Sequence, residues 1–305
     1  MNGVDAKPAR NGEGPGRLVI VPTPIGNLGD MTFRAIDALR EADHIFAEDT
    51  RRTRQLMSHF EVPARGRLHA MPAEREASRV AAVLTALDLG ESVAVVSDAG
   101  MPGISDPGAL LVRVVLDAGH HVDVLPGASA VPVAIVASGI PAARFTFCGF
   151  PPRKQGERHQ FLSQAMSRPE AAVFYEAPGR VRALLATVVS IAPDRQVAIG
   201  RELTKMHETW IRSNATDAAA ILEASEPRGE YVVVIAGSEP KEDATPDLQM
   251  IRAALAATPE TERPRARAKQ AARALGISTQ VVYEVLVGGE AGGVGVGAPF
   301  NSATQ

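Results

Sequence analysis

The sequence predicts an α/β protein: two α/β domains in tandem, followed by a small helical module. Three observations carry this expectation. From Leu18 to Leu125 short apolar runs alternate with helical patterns, the signature of a largely parallel, doubly wound sheet. Past Leu125-Pro126-Gly127 the alternation resumes and turns more β-like towards Ala236. Beyond a polar stretch punctuated by Pro240, the remaining patterns are helical and basic.

The first domain, 17–125, has expected strands at 18–21, 44–47, 93–96 and 122–125. Its helices fall at 30–41, 51–59, 74–87 and 107–118. The second, 126–238, reads as helix 129–138, strand 145–149, helix 157–166, strand 171–175, helix 180–191 and strand 197–201. Strand 206–212, helix 216–224 and strand 230–236 close it, with some antiparallel pairs expected. Residues 239–247 read as a linker. The module at 248–287 carries helices 248–257, 263–275 and 279–286, the last two spaced around Gly276-Ile277-Ser278 like a helix-turn-helix. Residues 1–16, polar and rich in glycine and charge, read as a disordered leader, and the Gly-rich 288–305 as a disordered tail. Within that tail Gly293-Val294-Gly295-Val296-Gly297-Ala298 formally matches a dinucleotide fingerprint. No strand pattern precedes it and only seven residues follow, so it is a decoy.

Composition narrows the chemistry. A chain of 305 residues, 45% hydrophobic, can bury a large core, and a net charge of −3 leaves nucleic-acid binding to local patches. The single cysteine, Cys148, excludes internal disulfides and cysteine metal clusters and fits a reducing cytoplasm. No apolar run approaches the roughly 18 residues of a membrane span, so no membrane partner is expected. G-x-x-x-x-G-K-[ST], H-E-x-x-H and G-x-S-x-G are all missing, and the seven histidines are scattered, so no metal centre is expected.

The most informative segment is Ser97-Asp98-Ala99-Gly100-Met101-Pro102-Gly103-Ile104-Ser105-Asp106-Pro107-Gly108, between the strand at 93–96 and the helix at 107–118. Asp106 suits an N-cap and Pro107 the first helical position. Twelve residues are long for a βα turn, commonly about 2–6, and ligands of open α/β sheets bind beyond the strands' carboxyl ends. Other strand-end loops share that placement. Pro22-Thr23-Pro24-Ile25-Gly26-Asn27-Leu28-Gly29-Asp30 is stiff, with Asp30 a plausible cap, and reads as a binding wall. Pro126-Gly127-Ala128-Ser129-Ala130 sets small residues at a helix N-terminus, suited equally to a ligand and to interdomain packing. Phe174–Arg180 and Gly200–Glu208 complete the set; the latter gathers an Arg, a Lys, a His and two Glu.

Three basic clusters follow. Asp49-Thr50-Arg51-Arg52-Thr53-Arg54 lies at a strand–helix junction, where a solvated helix face is the ordinary alternative to phosphate binding. Arg153-Lys154 with Arg158 forms the second. Arg263, Arg265, Arg267, Lys269 and Arg273, without an acid among them, form the third, on the helix-turn-helix-like end, and suggest phosphate contact.

With these motifs placed, the chain strongly resembles the ribosomal RNA small-subunit methyltransferase I family, the branch of the tetrapyrrole-methylase-like, class III S-adenosylmethionine enzymes that methylates a cytidine ribose. The carrying residues are Pro22–Asp30, Glu48-Asp49-Thr50-Arg51, Ser97–Gly108, Pro126–Ala130, Phe174–Arg180 and Arg201–Glu208. The likeness covers Leu18 to about Gly237, and the basic end resembles that family's C-terminal extension. It implies two α/β domains of the tetrapyrrole methylase type with S-adenosylmethionine in the cleft between them, in a cytoplasmic homodimer. Carried over by position, the cofactor would touch Pro22, Asp98, Ile104, Ser105, Ser129, Ala130, Tyr175, Glu176, Leu203, Thr204 and Glu230. The implied substrate is 16S rRNA of the small ribosomal subunit, methylated at the ribose 2′-oxygen of a decoding-centre cytidine. Relatives acting on tetrapyrroles carry G-x-G-P-G-type and S-G-D-P-type loops, from which this chain departs.

The expected chemistry is in-line attack of a ribose 2′-oxygen on the sulfonium methyl with S-adenosylhomocysteine leaving, positioning supplying much of the rate. Drawing off the hydroxyl proton calls for a base or a nearby cation, and Lys205, Glu176, Asp98 and His207 are the candidates. Lys205 ranks first, as a cation for the developing alkoxide, with Glu176 next. Arg51, Arg52, Arg54, Arg153, Lys154, Arg265, Arg267 and Lys269 are the candidate RNA contacts. A tetrapyrrole carbon as acceptor is the alternative within the same fold, its carboxylates meeting Arg51, Arg52 and Arg54; the basic C-terminal module argues against it. A non-catalytic nucleic-acid binder would leave six organised loops unexplained.

Overall fold

Apolar β-branched runs make the first sheet. The computed structural model describes residues 16–238 and 248–288, and the chain divides into two units between Gly237 and Ser238. The expected linker at 239–247, nearly all of the leader and tail, and the decoy at 293–298 lie outside the described residues.

β1 (Arg17–Val21), β2 (His44–Ala47), β3 (Leu68–Ala70), β4 (Ser92–Val96) and β5 (His121–Val124) pair in the order β3-β2-β4-β1-β5, every pair parallel. A parallel sheet covered on both faces needs apolar residues on both, so its central strands read as continuous Val/Ile runs. Val19, Val21 and Ile45 pack with α1 (Phe33–Glu41) and α2 (Thr50–His59) on one face. Leu18, Ile20, Val93 and Val95 pack with α3 (Glu76–Asp88) and α4 (Ala109–Asp117) on the other. The sheet is therefore doubly wound. β3 has no counterpart among the strands expected from sequence: three residues are too few for a periodicity, and its register on β2, Ile45 against Leu68, places it.

Local capping differs from expectation in two places. Asp30 lies in a short 3-10 turn capped by Asn27, and Thr32 caps α1 by accepting from the Ala35 N–H. Nor does Asp106 cap α4. The N-cap lies two residues later, at Gly108, whose φ of 133° favours glycine, and the first amides are held by Glu76 at the start of α3. A carboxylate 32 residues upstream takes the role expected of the neighbouring aspartate.

α5 (Ala130–Ser138), β6 (Phe145–Phe147), α6 (Gln155–Met166), β7 (Ala171–Glu176), α7 (Pro178–Ile191), β8 (Gln196–Arg201), β9 (Thr209–Asn214), α8 (Ala215–Glu223) and β10 (Tyr231–Ile235) form the second layer set. Its sheet runs β6-β7-β10-β8-β9, with only β6–β7 parallel. Phe174, Ile199 and Val233 pack with α6, α7 and α8 on one face, and Val173, Val232 and Val234 with α5 on the other. Because β10 runs against β7 and β8, its first residue, Tyr231, stands beside their last, Glu176 and Arg201.

The second unit holds α9 (Leu248–Ala256), α10 (Pro264–Leu275) and α11 (Thr279–Gly288) around Ile251, Leu255, Ala268, Ala271, Ala272 and Val282. Gly276, at φ 69°, ends α10 in the left-handed conformation that glycine adopts without cost. Among the described residues no helix is long and apolar enough to cross a membrane.

Candidate active site

Loops leaving the carboxyl ends of β1, β4, β5, β6, β7 and β8, together with the start of β10, enclose a cavity of about 350 Å³ within the first unit. Its lining comes from Ile25, from Ala99–Met101 and Ile104–Asp106, and from Ser129 and Ala130. Phe150, Tyr175–Pro178, Leu203 and Gly229–Val232 complete it. Of the sequence-predicted cofactor residues, Ile104, Ser105, Ser129, Ala130, Tyr175, Glu176, Leu203 and Glu230 face this one space.

Three others are placed differently. Pro22 packs beneath Gly127, where a Cβ would come within 2.7 Å of its own, so the pair acts as a tight joint in the wall. Asp98 faces an adjoining cavity, accepting from the Asp49 amide and pairing with Arg52 at 3.3 Å. Thr204 is turned inward, its Oγ1 buried without a hydrogen-bond partner beside Gly26. Gly26 itself admits no side chain: a Cβ would fall 2.9 Å from the Leu203 carbonyl.

Backbone strain gathers at the same loops. Ser105, Glu202 and Thr204 hold φ of 64°, 54° and 64°, a region non-glycine residues enter at a cost. The turn at Ser105 delivers its neighbour Asp106 to the cavity.

The two leading catalytic candidates are engaged in ion pairs. Glu176, 2% exposed, meets Arg180 at 3.0 Å and accepts from the Ala177 N–H at the start of α7. Burial pushes its carboxyl upward, and the amide and Arg180 pull against that. Lys205 does not line the cavity. Its ammonium lies 2.8 Å from Glu202 and 3.0 Å from Glu230. Burial works against its charge, but the two carboxylates outweigh it and hold the ammonium above its ordinary value. Glu202 is held low by Lys205 and the Glu230 amide despite its own desolvation. Lys205, expected at a developing alkoxide, is held here in a bridge: Glu230, 25 residues along the chain, closes it, a partner that sequence spacing does not reveal. The other candidate, His207, is exposed and is not among the cavity-lining residues.

Sequence reasoning misses Asp106 as a site residue. It lines the cavity, and among the described residues no hydrogen bond or ion pair engages its carboxylate. Burial, then the neighbouring Glu48 and Asp98, push its pKa up to about 7. Glu48 is likewise raised by burial and by Asp98. Across the cavity Tyr175 is pushed to about 12 by burial and by Asp106. The signal is present, a carboxylate in the longest strand-end loop, but on sequence alone a capping role accounts for it fully.

The candidate RNA contacts divide similarly. Arg51 is bound to Asp49 at 2.8 Å, which holds that carboxyl far below its usual range, and Arg52 to Asp98, whereas Arg54 is exposed. Arg153 is exposed, and Lys154 pairs with Glu157 at 3.1 Å. On α10, Arg265 lies 6.0 Å from the Tyr283 ring and Lys269 is exposed. Arg267 turns inward, donating to Thr258 Oγ1 and the Leu255 carbonyl, and so serves the module's own packing.

Residues 17–219 match the family model for Tetrapyrrole (Corrin/Porphyrin) Methylases. The fold and cleft therefore define a methylase of that architecture. Ribosomal RNA small subunit methyltransferase I of Thermotoga maritima is 42% identical over 224 residues, covering 73% of this chain and all of that protein. Its counterpart from Streptococcus pyogenes is 37% identical over 271 residues, covering 88% of this chain and 94% of that protein. The chain belongs to the ribosomal RNA small subunit methyltransferase I family. Among solved structures, the uroporphyrin-III C-methyl transferase of Thermus thermophilus complexed with S-adenosyl homocysteine shares the fold. It has a TM-score of 0.50 at 17% identity, over 73% of this chain and 97% of that one.

Proposed function

We propose that this protein transfers the methyl group of S-adenosylmethionine to the ribose 2′-oxygen of a decoding-centre cytidine in 16S rRNA, acting in the cytoplasm as a homodimer. The observation that carries the reading is the convergence of seven separately encoded segments on one cavity in a chain of this family. The cavity suits the cofactor chemically. Ser129 caps α5 without a side-chain bond, leaving first-turn amides for an anionic or hydroxyl group. Ile104, Phe150 and Tyr175 offer apolar faces, and the volume lies in the range of small-molecule sites.

When bound, S-adenosylmethionine supplies an electrophilic methyl carried by a positive sulfur. The protein's part is to position the ribose and accept its proton. Asp106 is the group placed to take that proton, since it faces the cavity, is unengaged, and has an affinity matched to proton transfer near neutrality. Glu176 fixes the start of α7 through Ala177 and Arg180, and Lys205 ties Glu202 to Glu230; both are positioning residues. RNA phosphates would meet Arg52, Arg54, Arg153, Arg265 and Lys269, of which all but Arg52 lack an ion-paired carboxylate among the described residues.

The test is transfer of labelled methyl from S-adenosylmethionine to small subunits that lack the modification, with the product mapped by nucleotide. A single 2′-O-methylcytidine at the decoding centre is expected. Label on a base, or none on RNA despite cofactor binding, would overturn the reading.

A further inference from the structure

The cofactor cleft and a neighbouring cavity share a wall made of two paired segments of chain. Thr23 and Gly100 exchange backbone hydrogen bonds of 2.9 Å in both directions, and the Thr23 hydroxyl and Ser97 hydroxyl close the same corner. Residues along these paired segments face opposite sides. Ile25, Ala99 and Gly100 look into the cleft, whereas Thr23, Pro24, Gly26, Ser97 and Asp98 look into a second cavity of about 410 Å³.

The far side of that second cavity is one face of α2. Arg52, Gln55, Leu56 and His59 recur at helical spacing and all line it, with Leu28 opposite. Arg52 is held by Asp98, while the exposed Gln55 and His59 make no hydrogen bond among the described residues. A carboxamide, an imidazole and two leucines at a cavity beside a fixed guanidinium suit a planar heterocycle with hydrogen-bonding edges and an attached phosphate. Single-stranded bases are taken up in this manner, stacked and bound along their exposed edges.

We propose that this second cavity holds the base of the nucleotide being methylated, so that its ribose bends over the Thr23–Gly100 wall into the cofactor cleft. The assignment rests on the ribose-methylation reading above. Leu28 and Leu56 pack on the faces of the base, Gln55 and His59 meet its edge, and Arg52 meets the flanking phosphate.

The experiment uses unmodified small subunits in which the target carries 5-iodocytidine, photocrosslinked to the full-length protein and mapped by mass spectrometry. In parallel, Gln55→Ala and Leu56→Trp are assayed on unsubstituted subunits. Crosslinks within 23–28 or 52–59 are expected. Both variants should lose at least about tenfold in kcat/KM for the subunit, with cofactor Kd within about twofold of wild type. Crosslinks elsewhere on a protein that methylates normally, or variants with unchanged kcat/KM, would overturn the base pocket and leave the methylation reading standing. Absence of any RNA methylation by the wild-type protein would instead bring down the reading on which it rests.

Discussion

Glu176 and Lys205, at strand ends of the second sheet, meet opposite charges at 3.0 Å or less, while Asp106, beyond the first, faces the cavity with no such partner among the described residues. The difference follows from topology. In the second sheet β10 runs backwards between β7 and β8, so Glu230 arrives beside residues at their ends and can complete a bridge. In the first, every strand runs the same way and each loop leaves the edge separately. Repulsion among Glu48, Asp98 and Asp106 is relieved only in part by Arg52. One half of the cleft is braced by ion pairs, and the other presents a carboxyl raised by burial and by its acidic neighbours.

The contrast is broken most sharply by removing the brace. Glu176→Ala leaves Arg180 facing a buried void and should cost about 3 kcal/mol in urea denaturation, since stripping one partner from a buried pair is strongly destabilising. A variant as stable as wild type would show that the pair does not brace the cleft.

Asp106→Asn should lower kcat about a hundredfold near pH 8. Wild-type activity should rise through a pKa of about 7 and the variant's should be flat. Stability should move the opposite way. A carboxyl whose pKa is raised by folding stabilises the chain fully below its unfolded value and loses that contribution as pH rises through the folded one. Between 3.8 and about 7, therefore, wild type loses stability that the variant keeps, and its Tm should fall progressively below the variant's. A parallel pair of melting curves would remove Asp106 from its role.

Glu76→Ala tests why Asp106 is free. With its cap gone α4 should lose about 1–2 kcal/mol in urea denaturation, and activity should fall as well, because the loop that carries Asp106 ends at this cap. The mildest change is Lys205→Met. If Lys205 only positions Glu202 and Glu230, kcat should fall less than tenfold with no shift in the pH profile. A loss of several hundredfold would return it to the reacting centre.

These contrasts also mark what the sequence could tell. The α/β class and the mixed character of the second sheet followed from periodicity, because burial on two faces leaves continuous apolar runs such as Val93–Val96. Eight of the residues expected around the cofactor line one cavity because strand-end loops share an edge whatever their spacing along the chain. What escaped was pairing at a distance. Glu76 for Asp106 at the cap, Glu230 on Lys205, and Thr258 on Arg267 are each specified by tertiary contact. A charge therefore looks available in the sequence until its partner is seen.

The Glu76 cap also couples two helices that are distant in the chain. The amides of Gly108 and Leu111 meet a carboxylate 32 and 35 residues earlier in the chain, so the first turn of α4 is satisfied only where α3 is docked. Loop 97–108, which carries Asp106, runs from the end of β4 to this cap, so its far end is anchored through α3. In native-state hydrogen exchange those two amides should open together with α3 and not with the loop they terminate, making the cleft's chemistry report on the cooperative folding of the first sheet.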